Sequence, residues 1–288
     1  MCAVGAGACN IDRQTVEGFG DEWTAFSQER LSSAELRRQF DGYFRTFNWE
    51  KLPEDAKGFD MGCGSGRWAM LVAPKVGELC CIDASDKALT VARKNLGRFK
   101  NCTFRKALFE DIPLADNSMD FGYSIGVLHH VPDTLAGLRS CVDKLKPGAP
   151  FLAYIYYAFE NRPTWFEAVW KLSDMMRRVI CRLPFAAKLV VSQFVAATVY
   201  LPMATASLAL DKLGADVSNI PLSAYRNRSF YSMRTDALDR FGTRLEKRFS
   251  RNDVIEMFEQ AGLEDITTSD DMPYWSAVGY KKRPGGPR

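Results

Sequence analysis

The 288-residue sequence lacks features that mark several large functional classes. Its eight cysteines include no Cys-x-x-Cys pair, which argues against a structural zinc site and against thioredoxin-type redox chemistry. A net charge of +3 is too small to indicate nucleic-acid binding by itself. The first residues have neither the basic nor the long apolar segment of a secretory signal, so we expect a cytoplasmic protein with reduced thiols.

Histidine is also scarce, and its two copies, His129 and His130, are adjacent. Neighbouring side chains point in different directions on a helix or a strand. No His-x-x-x-His pair or carboxylate cluster accompanies the two histidines. The sequence therefore predicts no metal site.

Short apolar segments alternate with helical segments over the first 155 residues. The apolar segments are GFDMGC, ELCCIDAS, CTFRKA, SMDFGYSIGVL and APFLAYIYY. This alternation predicts βαβ units and a parallel sheet that is covered by helices on both faces. Ligands of such sheets bind at the carboxyl ends of the strands, where Asp60 and Asp83 lie.

Three alternating glycines, Gly62, Gly64 and Gly66, follow the first predicted strand and would let the backbone approach a ligand closely. Asp60 precedes them and would repel a pyrophosphate but attract an ammonium group. Asp83 ends the second strand, where a carboxylate can accept the hydroxyls of a ribose. The pattern favours a ligand with a ribose and a cationic end, such as S-adenosylmethionine.

Four ordered motifs resemble those of the class I S-adenosylmethionine-dependent methyltransferases over about residues 53–157. They are DMGCGSG, CIDAS, EDIPLADNSMDFGYSIGVLHHVPD and LKPGAPFLAYIYY. Further along, FSRNDVIEMFEQAGLEDI resembles the last helix and sixth strand of that fold, and YWSAVGYKK its antiparallel seventh strand. The resemblance implies an α/β fold with a doubly wound, seven-stranded, mostly parallel sheet and S-adenosylmethionine as cofactor.

The resemblance divides the chain into four parts. Residues 1–48 would form an N-terminal helical segment that closes over the cofactor, with Trp23 and Phe26 as its anchors. Residues 49–157 would form the cofactor-binding core. Residues 158–249 would be a large helical insertion after the fifth strand that forms a lid and substrate pocket, and residues 250–288 would return to the core.

The resemblance also implies roles for single residues. Asp60 would face the methionine ammonium, Asp83 would hold the ribose, and His129 or His130 would overlook the methyl group as a candidate base. Leu108 occupies the place where many relatives bind the adenine amine with Asp or Asn, so no side-chain role is expected there. The predicted cofactor-binding residues are Asp60, Gly62, Cys63, Gly64, Gly66, Asp83, Ala84, Phe109, Glu110, Ser124 and Ile125.

The insertion contains two apolar segments. An amphipathic stripe is formed by Trp165, Val169, Leu172, Met176, Val179 and Leu183, and Pro184 is expected to end that helix. Residues 189–210 carry no charge and are long enough to cross a bilayer, but Pro202 and five polar residues interrupt them. We expect buried lid or dimer helices here, with a membrane or lipid contact and a true span as alternatives.

A basic, aromatic run follows from Tyr225 to Arg251. Its first part is predicted to bind an acidic group of the substrate, because arginine pairs well with carboxylate or phosphate. Arg240, Arg244 and Arg248 are expected on a solvated helix face, with Asp236–Arg240 as an ion pair. The candidate substrate-binding residues are Trp23, Tyr156, Arg226, Arg228, Tyr231 and Arg234.

The sequence therefore predicts methyl transfer from S-adenosylmethionine to an oxygen or nitrogen of a small molecule, with an acidic group as an option. The alternatives are carbon methylation of a quinone-like or lipid-like acceptor, a methyltransferase-like protein that only binds, and a dehydrogenase, which Asp60 disfavours. Nucleic acid is not expected as a substrate, because no Asn-Pro-Pro-Tyr-like run or Pro-Cys pair follows the fourth strand. A homodimer is a further possibility that the sequence does not decide.

Overall fold

The computed structural model describes residues 10–284, so both ends of the predicted domain division lie outside the described residues. Its seven strands form one sheet with the order β3-β2-β1-β4-β5-β7-β6. Strand β7 runs antiparallel to β5 and β6, and the other pairs are parallel, which confirms the predicted fold class. The strands are β1 (Lys57–Met61), β2 (Glu78–Asp83), β3 (Cys102–Lys106), β4 (Phe121–Ile125), β5 (Pro150–Tyr154), β6 (Leu263–Thr268) and β7 (Ala277–Lys281).

Helices precede the sheet, connect its strands and fill the insertion between β5 and β6. Most begin with a Ser or Asp whose side chain caps the first turn, as Ser85 does for α4 by accepting a hydrogen bond from the Ala88 N–H. The helices are α1 (Arg13–Ala25), α2 (Ser33–Tyr43), α3 (Ala69–Val72), α4 (Asp86–Leu96), α5 (Thr134–Lys144), α6 (Thr164–Ile180), α7 (Phe185–Val195), α8 (Leu201–Lys212), α9 (Phe230–Gly242) and α10 (Arg251–Gln260).

The central strands are buried on both faces. Phe59 and Phe151 are fully buried on the face that α5 and α10 cover, and Phe121 and Tyr123 are fully buried on the face that α2 and α4 cover. Gly122 leaves room for the ring of Phe59, since a Cβ at this position would lie 2.4 Å from it. These aromatic layers explain why the segments read as near-continuous apolar runs in the sequence.

Helices α7, α8 and α9 of the insertion pack around a separate apolar cluster. A five-residue π turn, Ala196–Tyr200, joins α7 to α8, and the three together form one continuous helix, Phe185–Lys212. The expected break at Pro202 is therefore wrong, because the wider turn just before it accommodates the proline ring and its missing N–H. The buried members of the cluster are Ile180, Val195, Ala196, Tyr200, Ala204, Met233, Ala237 and Phe241.

The apolar stripe of α6 does not face the interior. Trp165, Leu172 and Val179 are exposed, whereas Asp174 and Arg177 on the opposite side of the helix are buried. Leu183 lies beyond the end of α6, and Pro184 stands directly before α7. Asp174 and Arg177 form a hydrogen-bonded ion pair. This pairing allows charged groups to lie on the inward face of the helix.

The helix Phe185–Lys212 is the one helix within residues 10–284 that is long and apolar enough to cross a membrane, by length and composition alone. Only 28% of its apolar window is buried. One face packs on α9 and the other is exposed, so residues 189–210 are not a buried lid.

We expect Phe258→Ala to lower the free energy of unfolding by about 3–5 kcal/mol, because Phe258 of α10 is fully buried against the sheet. The neighbouring Glu259 is exposed, and Glu259→Ala should change stability by no more than about 0.5 kcal/mol. Urea unfolding measures the free energy of unfolding of both variants. Equal losses in the two variants would refute this packing.

Candidate active site

The glycine-rich turn after β1 has a left-handed backbone that only glycine adopts without strain. The φ angle is +81° at Gly62 and +53° at Gly64. A Cβ at Gly62 would lie 2.4 Å from Val127, and one at Gly64 would lie 2.8 Å from the indole of Trp23. The turn is therefore held against the end of β4 on one side and covered by α1 on the other.

Asp83 at the end of β2 fastens this turn. One carboxylate oxygen accepts a hydrogen bond from the Gly64 N–H at 2.9 Å, and the other accepts one from the Ser85 N–H at 2.8 Å. Burial raises the pKa of Asp83, although these backbone donors oppose that shift. The residue lies on the wall of the main cavity, where each oxygen keeps a second lone pair for a ligand hydroxyl.

Asp60 lies behind the glycine turn and not on the cavity wall. It is almost fully buried, and within the described part of the chain its Oδ2 has no hydrogen-bond partner. Burial raises the pKa of Asp60 well above its ordinary range. The contact of Asp60 with a ligand ammonium, directly or through water, therefore stays a prediction.

A cavity of about 770 Å³ extends from the glycine turn into the helical insertion. Its walls come from α1 and α2, the ends of β4 and β5, helices α6 to α9 and the loop before α9. Many of the side chains on these walls are aromatic: Phe19, Trp23, Tyr43, Trp68, Phe109, Tyr154, Tyr156, Tyr157, Phe159, Phe166, Trp170, Tyr200, Tyr225, Phe241 and Tyr274.

The two histidines have different environments. His130 lines the cavity, and its Nδ1 lies 2.6 Å from the carbonyl oxygen of Leu245. Because a carbonyl only accepts, Nδ1 carries a proton, and neutral His130 has its lone pair on Nε2, which lies 3.9 Å from Asp239 Oδ1. His129 is fully buried, stacks on Tyr156 and does not line the cavity, and burial lowers its pKa well below the ordinary value. His129 is therefore no longer a candidate base.

Two carboxyl groups that the sequence analysis missed face the cavity near His130. Glu22 of α1 is buried and, within the described part of the chain, makes no side-chain hydrogen bond or ion pair. Burial and the nearby Asp239 and Asp236 raise the pKa of Glu22 well above its ordinary value. Asp239 of α9 accepts a hydrogen bond from the Tyr156 hydroxyl, and burial raises its pKa as well. Glu22 directly precedes the predicted anchor Trp23, which is the one sequence signal that pointed to it.

The predicted anion-binding arginines are not brought together. Arg226 pairs with Asp211 at 3.2 Å, and Arg234 donates to the side chain of Gln193. Arg228 alone lines the cavity, but it pairs with Asp236 at 3.1 Å. The partners of Arg226 and Arg234 lie outside the basic run, whereas Asp236, the partner of Arg228, lies eight residues further along within it.

The rest of the basic run is also less solvated than expected. Arg240 pairs with Glu246 at 3.0 Å and not with Asp236, and Arg248 pairs with the same glutamate at 2.8 Å. Helix α9 ends at Gly242, so residues 240, 244 and 248 do not share one helix face.

Comparisons with known proteins agree with this geometry. Residues 59–153 match a family described as a methyltransferase domain. The chain has a class I methyltransferase domain. This finding confirms the resemblance over these residues, and S-adenosylmethionine is the cofactor that such a domain implies.

Relatives match mainly through this methyltransferase domain. A ubiquinone biosynthesis O-methyltransferase of Nitrosospira multiformis is 30% identical over 105 residues, 36% of this chain and 42% of that protein. A demethylmenaquinone methyltransferase of Staphylococcus aureus is 33% identical over 96 residues, 32% of this chain and 39% of that protein. The matches thus span about two fifths of these curated relatives.

A solved methyltransferase-fold structure from Bacillus halodurans C-125 extends the likeness to the fold as a whole. It has a TM-score of 0.50 at 14% identity and covers 82% of this chain and 73% of that chain. At this identity the likeness shows the fold alone.

Many of the predicted site residues lie on the cavity wall, and the others do not. The Ser124 hydroxyl donates to the Met61 carbonyl, Glu110 accepts from the Asn10 N–H, and the Tyr231 hydroxyl accepts from the Gln28 N–H. On the cavity wall are Trp23, Gly62, Cys63, Gly64, Asp83, Ala84, Phe109, Ile125, His130, Tyr156 and Arg228. Not on it are Asp60, Gly66, Glu110, Ser124, His129, Arg226, Tyr231 and Arg234.

The residues present fit S-adenosylmethionine. The bare backbone of Gly62 and Gly64 permits close approach, and Asp83 presents a carboxylate on the cavity wall for ribose hydroxyls. The carboxyl of Glu22, which has no ion-pair partner among the described residues, also lines the cavity, and a cationic group bound beside it would favour its ionised form. Leu108 also lines the cavity, as an apolar side chain.

We expect Asp83→Ala to weaken binding of S-adenosylhomocysteine by about 1–3 kcal/mol, because charge-assisted hydrogen bonds to the ribose and to the glycine turn are lost. Isothermal titration calorimetry measures the dissociation constant, and thermal melting verifies that the variant is folded. The exposed Asp86 begins α4 three residues later, and Asp86→Ala should bind like the wild type. An unchanged constant for Asp83→Ala would disprove the ribose assignment.

The raised pKa of Glu22 predicts how stability depends on pH. Above the ordinary pKa of a glutamate the unfolded chain releases this proton while the folded chain retains it, so stability falls as pH rises through that window. Glu22→Gln removes the penalty, so its Tm should exceed that of the wild type more near pH 8 than near pH 5. Glu17→Gln, an exposed change on the same helix, should show no such difference.

Proposed function

We propose that the chain transfers the methyl group of S-adenosylmethionine to a hydroxyl oxygen of an apolar, aromatic small molecule. The observation that carries the proposal is one continuous cavity whose wall holds the cofactor turn, many aromatic side chains, the buried Glu22 and the partly buried Asp239. Aromatic walls favour a flat apolar acceptor by stacking and by burial of apolar area.

Bound S-adenosylmethionine supplies a methyl group that is activated by its sulfonium sulfur. The task left to the protein is to hold the acceptor and to receive its hydroxyl proton. Asp239 suits the second task, because burial raises its pKa from the ordinary range and a base works best when its pKa approaches the working pH.

Two neighbours hold Asp239 in place. The Tyr156 hydroxyl donates to Oδ2, and the ring of His130 stands 3.9 Å behind Oδ1. Because the ring of His130 is fixed by its contact with the Leu245 carbonyl and stands beside Asp239, we treat it as a positioning residue in this proposal and not as the base itself. Its Nε2 is fully enclosed, which agrees with a role through Asp239.

The names of the relatives support an aromatic acceptor, since one is a ubiquinone biosynthesis O-methyltransferase. A second candidate function is carbon methylation of a quinol ring, which the demethylmenaquinone methyltransferase relative favours. An acidic group on the acceptor is not part of the proposal, because Arg228, the one arginine on the cavity wall that the sequence predicted to bind it, is paired with Asp236.

The test is methyl transfer from isotopically labelled S-adenosylmethionine to alkylated catechols, with an aromatic amine of similar size in the same panel. Mass spectrometry detects the product and NMR locates the methyl group on oxygen or carbon. Methylation of the catechol oxygen is expected. A ring-methylated product would establish the second candidate, and turnover of the amine alone would overturn the hydroxyl proposal.

Asp239→Asn should lower kcat by about 10²- to 10⁴-fold, because the acceptor proton loses its base. The acid limb of the kcat–pH profile should flatten while the affinity for S-adenosylhomocysteine stays within error. Asp211→Asn, an exposed change whose partner is Arg226, serves as the matched control and should leave kcat unchanged. An active Asp239→Asn variant with an unaltered profile would remove Asp239 from the mechanism.

A further inference from the structure

We infer that the exposed apolar faces of α6 and of the helix Phe185–Lys212 dock together on the surface of an anionic lipid bilayer. Combined with the proposed function, on which this part rests, the docking would let an apolar acceptor enter the cavity directly from the membrane. The faces are defined by their exposed apolar residues: Trp165, Val169, Leu172, Met175, Met176 and Val179 on α6, and Val190, Phe194, Val199 and Leu201 on the second helix.

The orientation of α6 is the reverse of an ordinary surface helix. Leu172 is 63% exposed and Val179 is 64% exposed, whereas Asp174 and Arg177 on the opposite side are each 6% exposed. The buried side is fixed by polar bonds, since Arg177 pairs with Asp174 at 2.7 Å and donates to the Thr243 carbonyl. Rotating the apolar face inward would break the hydrogen bond from Arg177 and leave the buried Thr243 carbonyl without this donor.

The cavity reaches this same surface. Val169 and Met176 of α6 and Val199 of the second helix are about half exposed, and all three also line the cavity. An exposed apolar rim around the mouth of an aromatic cavity is an unfavourable surface in water. In contact with a bilayer the rim would be covered and the mouth would open into the region where apolar molecules dissolve.

Basic side chains flank the apolar face and favour anionic lipids. Lys171 and Arg178 are exposed along one edge of α6 but pair with Glu167 and Asp174, at 2.8 and 2.9 Å. Arg182, just beyond the end of the helix, is exposed and has no ion-pair partner among the described residues. At its C-terminal end, a separate cleft is lined by Arg177, Arg178, Arg182 and Arg244, with Glu246 as its carboxylate. Apolar residues beside a basic edge are typical of helices that lie in the plane of a membrane interface.

The second helix lies on the membrane in this arrangement and does not cross it. Its other face packs on α9 through Val195, Ala196 and Tyr200, and Lys188 donates to the Gly242 carbonyl at 3.2 Å. Crossing would require these contacts to break and the buried Ser192 and Ser207 to enter lipid. A second copy of this chain is the other occupant to consider, but it would seal the mouth and bring the two basic edges together.

Vesicle flotation of the full chain tests the docking without any acceptor. The protein should float with vesicles of phosphatidylcholine and phosphatidylglycerol, and less with phosphatidylcholine alone. Leu172→Gln/Val179→Gln should lower the bound fraction at least about fivefold, because two apolar side chains outside the cavity are withdrawn from the interface. Calorimetry with S-adenosylhomocysteine verifies that the variant is folded.

A charge variant and its matched control distinguish attraction of anionic lipid by the residues beside the apolar face from attraction by basic residues elsewhere on the surface. Arg182→Gln should weaken binding to the anionic vesicles, whereas Arg105→Gln, the same change on the exposed edge strand β3, should not.

Wild-type protein that binds S-adenosylhomocysteine but never floats overturns the inference, as does a double variant that floats like the wild type. A stable dimer by light scattering that Leu172→Gln/Val179→Gln dissociates, without flotation, would assign the face to a second copy instead.

The outcome is independent of the proposed reaction. Failure to methylate soluble catechols together with normal flotation would contradict the proposed function and leave the docking intact. Turnover of soluble catechols without flotation would support the proposed function and contradict the docking.

Discussion

The carboxylate of Asp83 is the link on which the architecture of the site depends. It accepts hydrogen bonds from the Gly64 N–H and the Ser85 N–H, and so joins the turn after β1 to the start of α4. Trp23 packs over Gly64 because that residue has no side chain. The position of α1, and with it that of Glu22, follows from a turn that only glycine and a buried carboxylate can hold.

Burial of charge is the second constraint on the cavity. Arg228 neutralises Asp236, while Arg240 and Arg248 neutralise Glu246, so these groups are stable away from water. Glu22 has no such partner, and its pKa rises instead. Glu22 therefore keeps its proton in the folded chain, and the proposed proton acceptor is Asp239.

The same constraint shapes the insertion. Because Asp174 and Arg177 are bonded to each other and to the backbone inside the protein, α6 must present its apolar side outward. This side adjoins the cavity mouth at Val169 and Met176. One buried ion pair thereby connects the internal packing of the insertion with the surface that we infer to meet a bilayer.

The sequence by itself determined the sheet, the glycine turn and the class of cofactor. Those features depend on local patterns: apolar runs of strand length, Gly62 and Gly64 after a strand, and Asp83 at the end of the next one. It also predicted several residues of the cavity wall, including Trp23 and Tyr156, but not the side chains that they contact in the fold.

Only the tertiary structure decided which charges and apolar faces are free. Arg228 looked available in the sequence until Asp236 was found to pair with it, and the stripe on α6 looked like a core face until its opposite side proved to be the buried one. Helical periodicity shows that two faces differ, but not which of them points inward. That choice is made by partners distant in sequence, such as the Thr243 carbonyl that receives Arg177, and no local pattern encodes them.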